Sequence, residues 1–285
     1  RFKFTTYLVF LVAWITFVYA PIAHWVWASD GWLFEMGALD FAGGTVVHIN
    51  AGIAAVVAAW MVGKRRGVDR GVEPHNVPFV ILGAGILWFG WFGFNAGSGL
   101  AADGLAISAF LVTNTAAATA LVVWIILGHI HTGKMSGVGA ATGAVAGLVA
   151  ITPASGFVGP MGAIAIGLGA GVLTFYAVRI RHKFGFDDAL EVMAVHGIGG
   201  IWGAIATGIF AVGGIGLVDG SAEVLGYNVV ATLSTIAYSF VVTFIILKIL
   251  DVIPGLGLRA DEADEDAGLD VSLHGERAYV GDGAD

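Results

Sequence analysis

The sequence contains no cysteine, and few of its residues carry a charge. The absence of cysteine excludes disulfides, thiolate chemistry and Cys-based zinc or iron–sulfur sites. Only 12% of the 285 residues are charged, about half the fraction typical of a soluble domain. In contrast, 58% of the residues are hydrophobic and the mean hydropathy is +0.87. Most of the chain is therefore expected to face lipid or other helices.

Long apolar runs make up most of the sequence. Eight of them have about 17–25 residues, which is enough to cross the ~30 Å hydrocarbon core of a bilayer. The predicted spans are 4–21, 41–62, 77–95, 105–128, 135–152, 161–177, 189–212 and 227–250. Glycines recur inside these runs at intervals of four residues, as at Gly143 and Gly147, which is typical of closely packed membrane helices. We therefore predict an all-α membrane protein with about eight transmembrane helices.

Lysine and arginine are missing from every second loop between these spans. All thirteen lie before the first span, after the second, fourth and sixth spans, or from the end of the last span onward. The alternate loops hold acidic residues instead, namely Asp30, Glu35, Asp103, Asp219 and Glu223. Because basic loops remain on the cytoplasmic side, both termini of this chain are predicted to be cytoplasmic. The expected location is the plasma membrane, with several crossings.

The net charge of −8 is confined to the end of the chain. Residues 251–285 contain ten acidic residues against Arg259 and Arg277, whereas acids and bases balance in residues 1–250. We therefore divide the chain into a transmembrane domain, 1–250, and a cytoplasmic acidic tail, 251–285. The acidic stretch 261–266 is interpreted as a solvated segment. No nucleic-acid partner is predicted.

The second and seventh spans share a motif of an aspartate followed eight residues later by a histidine. The pairs are Asp40 with His48 and Asp188 with His196. Eight helical residues at ~1.5 Å each carry each histidine about 12 Å inward, close to the middle of the bilayer core. The predicted topology makes the two spans antiparallel. This pattern indicates an inverted-repeat transport fold, whose substrate site lies at the membrane midplane.

A pair of histidines at this depth needs a partner or a pore, because a titratable side chain is costly inside the membrane. A single buried histidine is more often a structural hydrogen-bonding residue, but a matched pair favours a function. Two helical histidines can bind haem iron axially, and they can bind a metal, although two imidazoles alone make a poor site. The third alternative is that they share protons in a narrow pore. Aromatic residues within 88–98, at the outer end of the third span, can attract a dehydrated cation and favour the pore.

Five segments resemble the signatures of the Amt/MEP/Rh ammonium transporter family. They are 40–52 (DFAGGTVVHINAG), 90–98, 150–156, 195–203 and 268–279, and they follow the family order over nearly the whole chain. The resemblance implies a homotrimer of eleven-helix subunits, each with its own pore for ammonium or ammonia, without enzymatic activity, cofactor or metal. Residues 1–250 would be the channel domain, family helices four to eleven. The first three helices would be absent, and we interpret the chain as a fragment.

The resemblance also implies roles for individual residues. His48 and His196 are similar to the twin-histidine pair of the family pore. Trp27 and Ser98 resemble the outer site that recruits ammonium, and Phe94 resembles one ring of a phenylalanine gate. The second gate ring would come from the absent third helix.

Three further residues complete the expected site, and the tail adds an expected partner. Trp91 resembles a pore-lining aromatic residue, Asp40 a residue that shapes the outer site, and Thr152 part of the pore wall. The tail resembles the family element that docks on the cytoplasmic face, where a PII-type regulatory protein binds in prokaryotes. Selective ammonium transport is the leading hypothesis. The alternatives are an Rh-like channel for neutral gas, an ammonium sensor and a haem-binding electron carrier.

Overall fold

The computed structural model describes residues 1–68, 73–181, 183 and 187–277. Arg70, one of the thirteen basic residues counted above, and Tyr279, the last residue of the tail segment 268–279, lie outside the described residues. Within them the regular secondary structure is helical, apart from an isolated antiparallel bridge between Phe2 and Arg259. The prediction of an all-α protein is confirmed.

Eleven α-helices and several short helical turns form the described structure. The α-helices are α1 Phe4–Trp14, α2 Ala20–Trp27, α3 Trp32–Met36, α4 Asn50–Val62, α5 Val77–Gly97, α6 Gly104–Thr132, α7 Gly137–Ile151, α8 Pro160–Arg181, α9 Gly199–Phe210, α10 Glu223–Val252 and α11 Glu262–Ala267. The π-helical turns are Ile15–Tyr19, Gly44–Ile49, Met193–Ile198 and Asp270–His274, and Leu217–Asp219 is a 3₁₀ turn. The π turns at Gly44 and Met193 continue directly into α4 and α9.

Seven helical stretches of the described chain are long and apolar enough to cross a membrane. They are Phe4–Met36, Gly44–Val62, Val77–Gly97, Gly104–Thr132, Pro160–Arg181, Met193–Phe210 and Glu223–Val252. The first continues well past its predicted end at Pro21. Pro21 lies in the first turn of α2, directly after the π turn Ile15–Tyr19. Proline is tolerated in the first turn of a helix, where its missing backbone N–H is not needed, so the chain remains helical.

The eighth predicted span, 135–152, is shorter than expected. It corresponds to α7, whose 15 residues cover only about 22 Å at 1.5 Å per residue. α7 packs against α5, α6, α8 and α9, and the turn that follows it, from Thr152 to Ser155, is buried. Non-helical backbone is tolerated at membrane depth when protein surrounds it. An enclosed helix therefore does not need the full span length.

Glycines allow α6, α7 and α8 to pack closely. A Cβ atom at Gly147 would collide with the backbone of Ala116 and Ala117 on α6, and one at Gly167 on α8 would also meet the Ala116 carbonyl. The glycines at four-residue intervals therefore lie at helix contacts, as their spacing predicted.

The basic residues of several loops meet at one end of the bundle, here called the basic end. Asp187, which follows α8, accepts hydrogen bonds from Arg65, which follows α4, with Nη2–Oδ1 at 2.6 Å. The guanidinium of Arg1 lies 3.4 Å from the same carboxylate. In the tail, Glu262 contacts Arg66 at 2.8 Å. The ends of α4, α8 and the tail are thereby joined.

Candidate functional site

Each histidine of the repeated motif lies in a π-helical turn at the start of a helix. His48 is in Gly44–Ile49, before α4, and His196 is in Met193–Ile198, before α9. π turns occur in proteins as single irregular turns and are frequent at functional sites. The two halves of the inverted repeat therefore share this irregularity as well as their sequence motif.

The aspartates of the motif bind the free amides at these helix starts. The Asp40 carboxylate accepts hydrogen bonds from the backbone N–H groups of Gly43 at 2.8 Å and Thr45 at 2.8 Å. Asp188 Oδ2 accepts from the backbone N–H of Met193 at 2.7 Å. A carboxylate at this position satisfies unpaired donors and interacts favourably with the positive end of the helix dipole. The aspartates thus fix where each π turn begins.

The two imidazoles meet between α4 and α9. His48 Nδ1 and His196 Nδ1 are 3.2 Å apart, and the ring centroids are separated by 5.3 Å. The backbones approach closely at this point, because a Cβ atom at Gly52 would collide with the main chain of Gly197. His48 is only 2% exposed, so its polar atoms must find partners inside the protein.

Thr152 connects the histidine pair to an indole. Its hydroxyl donates to the carbonyl of Leu148 at 2.8 Å and accepts from Trp91 Nε1 at 2.9 Å. The same oxygen lies 3.3 Å from His48 Nε2. The buried Thr152 hydroxyl oxygen therefore links the side chains of Trp91 and His48, which come from two other segments.

Aromatic rings surround His48 on two sides. Trp91 stacks on the imidazole with a centroid distance of 5.3 Å and an interplanar angle of 17°. Phe94 meets the imidazole edge-on at 6.0 Å. The two aromatic rings also contact each other at 5.5 Å. The faces of these rings can attract a cation.

A cavity of about 640 Å³ adjoins the histidine pair. Besides His48, His196, Trp91 and Phe94, its walls are mainly aliphatic, with Ile86 and Leu87 of α5 among them. These two α5 side chains are 63% and 48% exposed, so the cavity opens along α5. The imidazoles are therefore the polar feature of an otherwise apolar space.

The structure brings together four of the six residues expected to bind substrate, namely the two histidines, Trp91 and Phe94. Trp27 and Ser98 do not line this cavity. Trp27 Nε1 donates to the backbone carbonyl of Asp40 at 2.9 Å, and the Ser98 hydroxyl donates to the Phe94 carbonyl at 2.8 Å. Among the described residues, no group of three or more His, Asp or Glu side chains is arranged to hold a metal ion.

Several residues of the site carry no recognisable signal in the sequence. Val47, Ala51 and Val192 line the cavity, but aliphatic side chains in a membrane helix are usually explained by packing. The same holds for Ile86 and Leu87. Only the three-dimensional positions of these residues beside the histidines show that they line the cavity.

Comparisons with known proteins give a consistent result. Residues 1–279 match the model of the Ammonium Transporter Family. The "Ammonium transporter" of Bacillus subtilis is 48% identical over 286 residues, covering 98% of this chain and 70% of the relative. The "Ammonium transporter Amt1" of Archaeoglobus fulgidus is 49% identical, covering 98% of this chain and 72% of the relative.

Solved structures agree with the sequence relatives. Mep2 of Candida albicans has a TM-score of 0.88 at 39% identity, covering 93% of this chain and 62% of the Mep2 chain. Mep2 of Saccharomyces cerevisiae has a TM-score of 0.88 at 37% identity, covering 92% and 62%. The chain thus spans less than two thirds of these structures. This family consists of transporters and not of enzymes. The chain, with its many apolar helices, is a multi-pass membrane protein that belongs to the ammonium transporter family.

Proposed function

We propose that the protein conducts ammonium or ammonia across the plasma membrane through the cavity beside the histidine pair. The observation that carries this proposal is the 3.2 Å approach of His48 Nδ1 and His196 Nδ1 in an otherwise apolar space. The basic end would face the cytoplasm, because positively charged loops remain on that side. Residues 1–250 would form the channel, and residues 251–285 its cytoplasmic tail.

The contacts of Thr152 support one arrangement of protons in the histidine pair. The Leu148 carbonyl can only accept and the Trp91 indole N–H can only donate, so the single hydroxyl proton goes to Leu148. His48 Nε2 must then donate to Thr152, which leaves His48 Nδ1 as an acceptor. His196 Nδ1 therefore donates to His48, and His196 Nε2 carries a free lone pair.

This arrangement suits a substrate that can give up a proton. Ammonium that reaches His196 can donate a proton to the free Nε2 atom and continue as neutral ammonia, which an apolar passage tolerates better than a charge. The resulting imidazolium can pass its Nδ1 proton to His48 across the 3.2 Å contact. Potassium has the same charge but no proton to give. The histidine pair is thus expected to select ammonium over potassium.

Trp27 and Ser98 are proposed as the recruitment site at the end opposite the basic end. The Trp27 side chain is 39% exposed, so its ring remains accessible to a cation. The Ser98 hydroxyl uses its proton on the Phe94 carbonyl, and its lone pairs remain able to accept from an ammonium N–H group. A cation collected here would next meet the rings of Phe94 and Trp91.

Flux into liposomes tests the proposal directly. The purified protein should admit ammonium and exclude potassium at equal concentration. His48→Leu combined with His196→Leu should abolish ammonium flux or remove the discrimination against potassium. His129→Gln serves as a control, because His129 is exposed near the basic end. This variant should conduct ammonium as the wild type does. Equal permeation of both cations through the wild type would contradict the mechanism.

Two other functions give different results in the same experiment. An Rh-like channel for neutral gas would show flux that follows the ammonia concentration and moves no charge. A sensor would show no flux above that of empty liposomes. The sensor is considered because a solved structure entitled "Sensor Amt Protein" has a TM-score of 0.80 at 37% identity to this chain.

A homotrimer and a PII-type regulator are the proposed protein partners. The family resemblance implies both, and the tail contacts support a docking surface at the basic end, where Arg66 binds Glu262 and Asp266. Native mass spectrometry should show three copies of the chain. A regulator should be retained by the wild type and lost when residues 261–277 are deleted. Monomers alone, or equal retention by both proteins, would contradict these assignments.

A further inference from the structure

The third residue after each capping aspartate has a positive φ in both halves of the repeat. Gly43 follows Asp40 and has a φ of +128°, and Glu191 follows Asp188 and has a φ of +57°. In each half the histidine lies five residues further along the chain. The inverted repeat therefore includes this backbone conformation as well as the aspartate and the histidine.

The same residue begins the hydrogen bonding of the turn that carries the histidine. The Gly43 carbonyl accepts from the Val47 N–H at 2.9 Å, and the Glu191 carbonyl accepts from the Val195 N–H at 2.8 Å. Its backbone conformation therefore sets the direction in which the turn leaves the capping aspartate. The direction of the imidazole, one turn later, depends on it in both halves.

The two halves use different residues at this position. Glycine adopts a positive φ without strain, and a Cβ atom at Gly43 would collide with the Val47 side chain. Glu191 has a Cβ atom, and the left-handed conformation is unfavourable for such a residue. Among the described residues, the only other non-glycine residue with a positive φ is Leu100, which is 93% exposed. The strained backbone of Glu191 therefore needs an interaction that holds it.

Arg181, the last residue of α8, supplies such an interaction. Its Nε donates to Glu191 Oε2 at 2.7 Å and its Nη2 donates to Glu191 Oε1, so the guanidinium and the carboxylate meet at two points. The Arg181 side chain is 7% exposed and the Glu191 side chain 25%. A two-point contact that is largely withdrawn from water fixes the orientation of both side chains.

We propose that Glu191 is a positioning residue for His196. The contact with Arg181 holds Glu191 in the left-handed conformation, and this conformation directs the π turn Met193–Ile198 so that His196 Nδ1 reaches His48 Nδ1. The importance of Glu191 for transport rests on the proposed function, whereas its effect on the orientation of the imidazole does not.

Substitutions at both positions separate the ion pair from the backbone conformation. Arg181→Gln removes the two-point contact and should lower ammonium flux by up to about tenfold, because a non-glycine residue disfavours the left-handed conformation by a factor of this size. Adding Glu191→Gly should restore flux to near the wild-type rate, since glycine adopts a positive φ without any contact. Adding Glu191→Ala instead should not restore it. Both double variants remove the same two charges and differ only in backbone freedom.

Nitrogen-15 spectra of labelled histidine give a readout that does not depend on transport. The hydrogen bond from His196 Nδ1 to His48 Nδ1 should be present in the wild type and in the glycine double variant. It should be lost in Arg181→Gln and in the alanine double variant. Arg65→Gln is the matched control, because it removes a different arginine–carboxylate contact at the basic end, that with Asp187. It should lower stability without changing the histidine spectra.

Equal flux and equal histidine spectra in the two double variants would overturn the proposal, because the backbone conformation at Glu191 would then not matter. Arg181→Gln with wild-type flux and spectra would overturn it too, as would the same spectral change in Arg65→Gln. A wild type that conducts no ammonium would contradict the proposed function instead, and the spectra would still test the orientation of His196.

Discussion

Thr152 is the side chain on which the geometry of the histidine pair most depends. Its oxygen is shared by Leu148, Trp91 and His48. Thr152→Val removes this oxygen at nearly constant volume. We expect a loss of about 1–3 kcal/mol in the free energy of unfolding, because the buried Trp91 N–H is left without an acceptor. Thermal unfolding in detergent measures this loss.

Thr152→Ser is the control for this substitution, because it keeps the hydroxyl. Nitrogen-15 spectra of labelled histidine report which ring nitrogen carries the proton. The wild type and the serine variant should show His48 protonated at Nε2, and the valine variant should not. An unchanged His48 tautomer in the valine variant would show that Thr152 does not orient the proton.

The histidine pair could be predicted from the sequence, but the bonds around it could not. His48 and His196 were recognisable because they repeat at the same interval from an aspartate. Thr152 was expected only as part of a wall, since two of its three partners, His48 and Trp91, come from segments that are distant in sequence. Which donor reaches which acceptor is decided by the packing of α5 and α7 against the π turn, and no local pattern encodes this.

At the level of helices, the crossing of α4 and α9 rests on Gly52. A Cβ atom at this position would meet the backbone of Gly197, which cannot move aside as a flexible side chain can. We therefore expect Gly52→Ala to cost about 1–3 kcal/mol in stability and to separate the imidazoles, with a loss of flux. Gly85→Ala on α5 is the control, because nothing lies within 4 Å of its added Cβ. Equal stability of the two variants would contradict the close crossing.

The positions of the helices could be predicted from hydrophobicity, whereas the irregular turns could not. Six spans were predicted at nearly their observed places, because a long apolar run has few alternatives to a membrane helix, and the first was predicted too short. The eighth was predicted as 135–152 and is longer than α7, because Ser136 caps the helix at its start and Thr152 follows its last residue. The π turns at His48 and His196 leave no trace in hydropathy. They lie between the amides bound by the aspartates and the close crossing of the two helices at Gly52.

For the whole molecule, the most informative group is Asp187, which joins two loops at the basic end. Burial alone would raise the pKa of its carboxyl, but hydrogen bonds from Arg65 and the charges of Arg1 and Arg65 outweigh burial and lower this pKa. Its contribution to stability is therefore complete above the unfolded pKa of about 4 and is lost as the pH falls through the lower folded pKa.

Asp187→Asn should accordingly destabilise the protein at pH 7 by about 2–3 kcal/mol, because two arginines lose their partner. The difference from the wild type should shrink below about pH 4. Thermal unfolding across this pH range measures it. Asp251→Asn, at an exposed position, is the control and should have little effect at any pH. A difference that persists unchanged at pH 3 would show that charge is not the cause.

The paired π turns make this protein sensitive to a residue count. Eight residues separate each capping aspartate from its histidine, and the caps fix where the count begins. An insertion or deletion of one residue inside either interval would rotate the imidazole by about 100° around the helix axis and point it away from its counterpart. Side chains on the outer faces of these helices can be substituted with little consequence, whereas the eight-residue interval between aspartate and histidine cannot change in length. Across relatives, insertions and deletions should therefore occur in loops and be absent from the intervals 40–48 and 188–196.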